Sequence, residues 1–414
     1  MPYGAAQRET IERVVREQLE LWMADRCSLE NCDPYALSMH ALLLSYAHRT
    51  LGDVAFRDGA YRDLVAAAAN LEHGEIGPHL YGGSVGVAWV FEHLMRCGFT
   101  DAIDENTNDH VDAVLLEALE QDWQGQYDLI AGLVGIGVYA LERLPAASGA
   151  ELIAGVVGHL EKTARPQGEG VLWWTEPQDL PEKHRSGWPG GYSNTGLAHG
   201  SAGVVGFLAG AVLAGQCKEA AAALLGSAVV GLLGQRCAPN DRSVFAPFCD
   251  ERGFGNPART AWCYGDPGVS IALLRAGEAL HRPDWIALAV EVARRAAARD
   301  EVVVGVADAG LCHGSMGLAH IFGRFGQATG DAYFNEPARR WLDVTLRIVA
   351  TDGVGFHRAE RNGEMGIAYR ADTSFLSGAN GTILALLAAV SASSSPDWDR
   401  KLLISVRGSH LVLG

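Results

Sequence analysis

LAHGSAGVVGFL, residues 197–208, has two glycines three positions apart, followed by a run of apolar residues. The same arrangement returns in five other segments: LYGGSVGVAWV (80–90), DLIAGLVGIGVYAL (128–141), WCYGDPGVSIALL (262–274), LCHGSMGLAHIF (311–322) and FLSGANGTILALL (375–387). A weaker copy, ALSMHALLLSYAH (36–48), keeps the Leu-Ser start but has lost both glycines. The chain therefore holds seven copies of one unit, which predicts a repeat architecture.

Each copy predicts a buried helix, because its apolar run, as in residues 204–214, leaves no polar face for water. The first glycine can adopt a positive φ or let another segment of backbone approach closely. Amphipathic segments such as 284–299 lie between the copies and predict outer helices. The pattern predicts an all-α fold, an α/α toroid with seven inner and seven outer helices in a single domain over residues 1–414.

Three segments interrupt the repeat and lack helical periodicity: 171–194, 237–260 and 352–373. Each leads directly into a glycine motif, so we expect loops or short β inserts on one rim of the ring. Loops on one rim of a repeat array commonly carry binding function. The first insert holds four aromatic residues and three prolines, and we expect it to touch the ligand.

Composition and charge exclude several classes of partner and location. The formal net charge is −16 with only 33 Lys and Arg residues, which argues against nucleic acid as a partner. The uncharged stretch at 186–217 has an apolar part of about twelve residues, where a membrane span needs roughly twenty. The first residues show no apolar signal-peptide core, so a cytoplasmic location with free or metal-bound cysteines is expected.

Chemically distinctive side chains occupy equivalent positions just before the first glycine of three copies. His199, Tyr264 and His313 directly precede that glycine, and Cys263 and Cys312 lie one residue earlier. In a toroid, equivalent positions of different repeats face the same central mouth, so Cys263, Cys312 and His313 are expected to converge. Two thiolates and one imidazole form a tetrahedral zinc site with one open position, which is the catalytic pattern. Isolated buried cysteines and a core histidine remain the alternative interpretation of these residues.

Three segments resemble the signature motifs of the lanthionine synthetase C-like family, which contains the lanthipeptide cyclases. They are SNTGLAHGSAG (193–203), RTAWCYGDPG (259–268) and LCHGSMG (311–317), and the resemblance covers about residues 36–390. Met316 replaces the small residue that is usual in the last motif, and the first copy lacks its glycines. Neither departure removes a metal ligand or a candidate for proton transfer.

The resemblance implies an α/α toroid whose central zinc is held by Cys263, Cys312 and His313. It also implies roles in the pocket for five further residues: Asp128, His199, Arg259, Trp262 and Tyr264. Within that set, His199 is the candidate for proton transfer, because its pKa is near neutral, and Asp128 could orient or charge it. Arg259 or Tyr264 could stabilise an enolate oxygen or hold the pocket together, and Trp262 is the candidate for substrate binding.

The family reaction implied for this chain is an intramolecular Michael addition. A cysteine thiol of a precursor peptide adds to dehydroalanine or dehydrobutyrine in the same peptide and forms lanthionine or methyllanthionine, as in lantibiotic biosynthesis. The expected partners are a dehydrated precursor peptide with its leader, the dehydratase that makes the alkene, and a transporter. No long dehydratase or kinase region precedes the repeats, so the chain resembles the stand-alone type of cyclase.

Two other functions remain open from the sequence. The same zinc site would serve an enzyme that adds a small thiol such as glutathione to dehydrated residues of damaged proteins. A non-catalytic peptide-binding toroid is the other alternative, and absence of zinc from the purified protein would favour it. A carbohydrate-active toroid is disfavoured, because those enzymes use paired carboxylates.

Overall fold

The structure is a computed structural model that describes most of the chain. The described residues are 4–24, 33–71, 76–101, 103–180, 182–250, 253–255, 257–299, 305–306, 308–354, 356–361, 364–391 and 396–406. The α-helices among them are α1 (Ala5–Ala24), α2 (Pro34–Leu51), α3 (Val54–Leu71), α4 (Ser84–Arg96), α5 (Asp109–Glu120), α6 (Leu133–Arg143), α7 (Ala147–Thr163), α8 (Glu182–Arg185), α9 (Ser201–Leu213), α10 (Lys218–Leu233), α11 (Asp266–Ala279), α12 (Pro283–Ala297), α13 (Ser315–Thr329), α14 (Asn335–Asp352) and α15 (Ala379–Val390).

One helix from each repeat copy contributes to a closed inner ring. Helix α2 packs against α4, α4 against α6, α6 against α9, α9 against α11, α11 against α13 and α13 against α15, and α15 returns to α2. An outer helix covers each of these, in the same order α3, α5, α7, α10, α12, α14 and α1. Among the described residues this gives seven inner and seven outer helices, so the predicted α/α toroid is confirmed.

The inner and outer helices differ in burial as their sequences predict. Helix α9 is buried from Ser201 to Val212 and carries no charged residue. Helix α12 buries one face against the ring and exposes Asp284, Glu291 and Arg294 on the other. None of the described helices combines the length and the apolar composition that crossing a bilayer requires.

The second glycine of each motif lets the preceding loop fold back onto the first turn of the inner helix. A Cβ on this glycine would lie under 3.0 Å from the carbonyl oxygen six residues earlier, in six copies: Gly86, Gly135, Gly203, Gly268, Gly317 and Gly381. Among the first glycines of those motifs, only Gly265 has a positive φ, of 112°. Close approach of backbone therefore explains the motif, and left-handed geometry is needed in one copy.

Backbone hydrogen bonds join successive loops along the rim where the inner helices begin. The amide of Leu129 donates to Ala198 O at 3.2 Å, and that of Ala198 donates to Cys263 O at 3.3 Å. The amide of Cys263 donates to Cys312 O at 3.2 Å, and that of Cys312 donates to Leu376 O at 2.8 Å. Apart from Leu129, which lies one residue earlier in its copy, the bonded residues occupy equivalent positions of neighbouring repeats, as the ring architecture requires.

Short antiparallel strands form within or beside the predicted inserts. They are β1 (Arg165–Gln167) with β2 (Gly170–Leu172), β3 (Ser193–Asn194) with β4 (Phe248–Asp250) and β5 (Gly253–Phe254), and β6 (Phe356–Arg361) with β7 (Glu364–Ala371). Strands β3 and β4 belong to the first and second inserts, so one small sheet ties these inserts together. Residues 181, 251–252, 256, 355 and 362–363 of the inserts lie outside the described residues. The single domain and the rim position of the third insert stay predictions.

A segment near the C-terminus fills the centre of the ring. Its 3₁₀-helix, Trp398–Leu402, has a fully buried indole at Trp398 and a fully buried amine at Lys401. Trp398 stacks on His320 of α13 with ring centroids 5.0 Å apart, and Lys401 Nζ donates to Leu80 O at 3.0 Å. Leu403 packs against Gly206 of α9. The segment thus contacts several repeats at once.

Candidate metal centre

Three side chains from two neighbouring loops meet on the rim of the toroid. One ligand atom from each of Cys263, Cys312 and His313 lies within 4.8 Å of the others. Cys263 is buried, while Cys312 and His313 are half-buried. The structure therefore brings together the residues that the repeat register predicts to converge, in a group that could hold a metal ion.

Local backbone geometry explains how adjacent residues face one site. Cys312 and His313 precede the N-terminus of α13, which begins at Ser315, so neither is constrained by helical geometry. Cys263 lies two residues before Gly265, whose positive φ turns the chain sharply into α11. The hydrogen bond between the two cysteine backbones fixes the separation of the loops.

The three groups perturb one another strongly. A hydrogen bond from Cys312 lowers the pKa of the Cys263 thiol well below its usual value, with help from His313 and the charge of Arg259. The same hydrogen bond to Cys263, together with burial, raises the pKa of Cys312. The hydrogen bond to Cys263 also raises the pKa of His313. The lowered pKa of Cys263 is a shift in the direction of the thiolate, which is the form that binds a metal.

Sequence reasoning missed Asp308, a buried carboxylate beside this group. Its Oδ2 lies 3.5 Å from Nε2 of His313, and its Oδ1 accepts the amide of Gly310 at 2.9 Å. Carboxylates in this position orient imidazoles that bind metals. The sequence held a signal for this residue. Asp308 lies six residues before Gly314, the first glycine of its motif, and the residue at this position lies close to that glycine in each of these loops. Arg259 occupies that same position before Gly265.

A second pair of side chains lies further along the same rim. The carboxylate of buried Asp128 contacts Nδ1 of His199, and its other oxygen accepts the amide of Ala131 at 2.8 Å. The side chain of His199 is 41% exposed, so the imidazole keeps an open face. Since Nδ1 faces a carboxylate, we assign its hydrogen to that nitrogen, which leaves Nε2 free.

Tyr264 connects this pair to the metal group and to the inserts. The centroid of its ring lies 6.1 Å from that of the His199 imidazole, at an interplanar angle of 24°. The centroid of the Phe248 ring on β4 lies 5.5 Å away on the side of the inserts. Burial raises the pKa of Tyr264, so its hydroxyl stays neutral and can donate a hydrogen bond. Tyr264 is also the residue that directly follows Cys263.

The remaining predicted site residues differ in accessibility. Arg259 is exposed, and its positive charge contributes to lowering the pKa of Cys263. Trp262 is only 1% exposed, and its Nε1 donates to Leu402 O of the central segment at 3.0 Å. This burial favours a role for Trp262 in supporting the Cys263 loop over direct contact with a substrate.

Comparison with known proteins agrees with this architecture. Residues 40–403 match the family model described as Lanthionine synthetase C-like protein. The chain belongs to the lanthionine synthetase C-like family. The resemblance drawn from three motifs is thereby confirmed, and the match extends over most of the chain.

A related protein and a solved structure show how similar this chain is to known proteins. The chain is 25% identical over 344 residues to a nisin biosynthesis protein of Lactococcus lactis subsp. lactis, covering 78% of this chain and 77% of that protein. A solved structure of a nisin cyclase superposes with a TM-score of 0.77 at 20% identity, over 96% of this chain and 98% of that one. The structural match shows that the two chains share the same fold.

Proposed function

We propose that this protein is a zinc-dependent lanthipeptide cyclase. It adds cysteine thiols of a dehydrated precursor peptide to dehydroalanine or dehydrobutyrine and so closes lanthionine and methyllanthionine rings. Family membership and the similarity to a nisin biosynthesis protein support this activity. The observation that carries the proposal is the Cys263, Cys312 and His313 group on one rim with the Asp128–His199 pair.

The donor set fits zinc. Two sulfurs and one imidazole nitrogen within 4.8 Å of one another suit a tetrahedral ion and leave one position open. The buried carboxylate of Asp308 beside His313 is the kind of partner that a metal-binding imidazole needs. When bound, zinc supplies a Lewis acid that lowers the pKa of a substrate thiol at neutral pH.

His199 moves the proton that completes the addition. The thiol sulfur forms a bond to the β carbon of the alkene, and the π electrons pass to the α carbon and its carbonyl oxygen. The free Nε2 of His199 accepts the proton that leaves the thiol, and Asp128 stabilises the resulting imidazolium through Nδ1. Nε2 then delivers this proton to the α carbon, which returns the imidazole to its neutral starting state.

Two further side chains are suited to the charge that develops during this step. The hydroxyl of Tyr264 is neutral because burial raises its pKa, so it can donate to the enolate oxygen. Arg259 is exposed on the same rim and supplies positive charge close to Cys263. The leader-bearing precursor, a dehydratase, a transporter and a cytoplasmic location belong to the proposal as what the family implies.

The activity is tested with a synthetic peptide that contains one dehydroalanine and one cysteine. We expect the wild type to convert the peptide into a product of the same mass. That product should no longer react with a thiol-alkylating reagent, because the cysteine thiol has formed the thioether. In a second arm, free glutathione is offered with a cysteine-free peptide, and faster addition there would favour the glutathione alternative. No acceleration of either reaction by protein that contains zinc would favour a non-catalytic toroid.

His199→Asn separates proton transfer from metal binding. We expect ring closure to slow by roughly 10²–10⁴-fold, the range for loss of a general acid–base group. Zinc content should stay at the wild-type level, because His199 is not among the proposed ligands. Rings that close at the wild-type rate near pH 7 would instead assign His199 a structural role.

A further inference from the structure

A set of equivalent residues surrounds the mouth of the ring at the metal group. Each lies two positions before the first glycine of its motif, and the set is Tyr81, Ile130, Ala198, Cys263, Cys312 and Leu376. The residue one position earlier is at most 2% exposed in every one of these motifs, so it points into the core. Four of the six are half-buried instead, namely Tyr81, Ile130, Cys312 and Leu376. Their accessible surface therefore belongs to the mouth.

Backbone hydrogen bonds place three of these residues beside the proposed ligands or beside each other. The amide of Cys312 donates to Leu376 O at 2.8 Å, and the amide of Tyr81 donates to Ile130 O at 3.3 Å. The bond between the backbones of Cys312 and Cys263 belongs to the same series. Apart from the two cysteines, the residues at this position are neutral, so the surface next to the metal group is mainly hydrocarbon and aromatic carbon.

The side chain of Tyr81 reaches across the centre of the ring. Its centroid lies 6.4 Å from that of Trp262, the residue before Cys263, and 6.2 Å from that of Phe375. Tyr81 precedes α4 and Trp262 precedes α11, and these helices are three steps apart around the seven inner helices. A contact between the two rings therefore crosses the mouth and brings Tyr81 to the loop that holds Cys263.

Electrostatics agree with this placement. Burial raises the pKa of Tyr81, and the charges of Tyr35 and Cys312 add to the effect. The Tyr81 phenol thus lies within electrostatic reach of a proposed metal ligand.

The central segment fixes the Tyr81 ring from the inner side. Its hydroxyl donates to Lys401 O at 2.8 Å, and Nζ of Lys401 lies 5.2 Å from the centre of the ring. The hydroxyl is therefore already bound within the protein, and what Tyr81 offers at the mouth is carbon surface. An aromatic ring held in this way contacts a ligand with little loss of conformational entropy.

We propose that Tyr81, Ile130 and Leu376 form an apolar collar that determines which thiols the metal group accepts. The collar contacts the carbon atoms next to the substrate sulfur, so it favours a peptide cysteine with apolar neighbours. A small charged thiol such as glutathione would lose water at this surface and gain no ionic partner from the collar. This inference rests on the proposed function and specifies the class of thiol that the same site takes.

Thiol binding to cobalt-loaded protein tests the collar without any cyclisation. The visible absorption of the cobalt ion changes when a thiolate binds, so it gives a dissociation constant for each thiol. The two probes are acetyl-Leu-Cys-Leu-amide and acetyl-Gly-Cys-Gly-amide, which have the same charge and differ in apolar surface. We expect the wild type to bind the leucine peptide about 10-fold more tightly, because its side chains lose water against the collar.

Three variants separate recognition from folding. Tyr81→Ala should lower the ratio of the two dissociation constants to about 2-fold, while Tyr81→Phe keeps the ring and should keep the ratio. Leu376→Ala should lower it to about 3-fold and still leaves the backbone oxygen that accepts the Cys312 amide. Both peptides are measured on the same protein sample, so partial unfolding of a variant does not change the ratio.

Tyr61→Ala is the matched control, because Tyr61 is 54% exposed on the outer helix α3. It should keep the 10-fold preference of the wild type. Equal affinities of the wild type for the two peptides, or an unchanged preference in Tyr81→Ala, would overturn the collar. Tighter binding of glutathione than of the leucine peptide would overturn it as well and would favour the glutathione alternative.

The cyclisation assay, run in parallel on the zinc protein, distinguishes failure of the collar from failure of the proposed function. A preference for the leucine peptide that falls in Tyr81→Ala, without ring closure by the wild type, would retain the collar and reject the cyclase activity. Ring closure by a wild type that binds both peptides equally would reject the collar alone.

Discussion

Two buried carboxylates hold the two histidines of the site. Asp128 contacts Nδ1 of His199, and Asp308 lies 3.5 Å from Nε2 of His313. The proposed proton transfer uses the opposite nitrogen of His199, Nε2, and the proposed zinc site uses the imidazole of His313. A carboxylate beside an imidazole fixes its tautomer and its ring orientation.

Asp308→Asn tests the contact with His313. The side-chain oxygen of the asparagine can still accept a hydrogen bond from the backbone N–H of Gly310. Its NH₂ group then faces Nε2 of His313 and favours the wrong tautomer of the imidazole. We expect zinc affinity to fall about 10–100-fold, with unchanged helical content. Competition with a chromophoric chelator measures this affinity.

Asp372→Asn is the matched control for that variant. Asp372 occupies the equivalent position six residues before Gly378, and its carboxylate accepts the amide of Ser374 at 2.6 Å. Its loop contributes no member of the metal group, so this variant should keep the wild-type zinc affinity. Equal zinc affinities of the wild type, Asp308→Asn and Asp372→Asn would show that Asp308 does not support the metal centre.

At the scale of the helix and its loop, the second glycine of each motif sets the geometry. In Gly268→Ala, the new Cβ would lie under 3.0 Å from the carbonyl oxygen of Trp262, the residue before Cys263. We expect the free energy of unfolding to fall by about 1–3 kcal/mol. Zinc affinity should fall as well, because the Cys263 loop must move away from Cys312. Urea denaturation and chelator competition measure the two effects.

Gly158→Ala provides the comparison within an outer helix. Gly158 lies inside α7, and a Cβ there would meet nothing within 4 Å. Alanine should therefore raise the free energy of unfolding by about 1 kcal/mol through its helix propensity, with unchanged zinc affinity. Similar destabilisation in both variants would contradict the assigned role of the motif glycine.

The repeated elements were predictable because their cause is local. An apolar run after paired glycines specifies a buried helix, and six such runs with a seventh copy that lacks the glycines specify a ring whatever the outer residues are. The convergence of Cys263 with Cys312 and His313 followed from the same register. Asp308 was not predicted, because its place six residues before Gly314 points to the site only once the loop is known to fold back over that span.

At the scale of the whole molecule, the segment from 397 to 406 closes the centre of the toroid. Leu402 O of this segment accepts a hydrogen bond from Nε1 of Trp262, and Trp398 of the segment stacks on His320 of α13. Lys401 lies beside the rings of Tyr35, Tyr81 and Trp89, and burial lowers its pKa. This segment carries no copy of the repeat, so its position depends on long-range contacts that the sequence pattern does not contain.

Trp398→Ala tests whether this segment stabilises the ring. The indole is fully buried between Phe375 and His320, so we expect a loss of about 3–5 kcal/mol in the free energy of unfolding. Tyr333→Ala is the control, because Tyr333 is 41% exposed on the outer surface. Equal stabilities of the two variants in urea denaturation would contradict the central role of the segment.

The central claim is that Cys263, Cys312 and His313 hold one zinc ion, and elemental analysis tests it most directly. The wild type, Cys312→Ala and Cys217→Ala are purified and dialysed against a weak chelator before their zinc is measured. Cys217 lies between α9 and α10, away from the rim, and serves as the control. We predict about one zinc per chain in the wild type and in Cys217→Ala, and less than about a tenth of that in Cys312→Ala with intact helical content. Full zinc in Cys312→Ala would contradict the account.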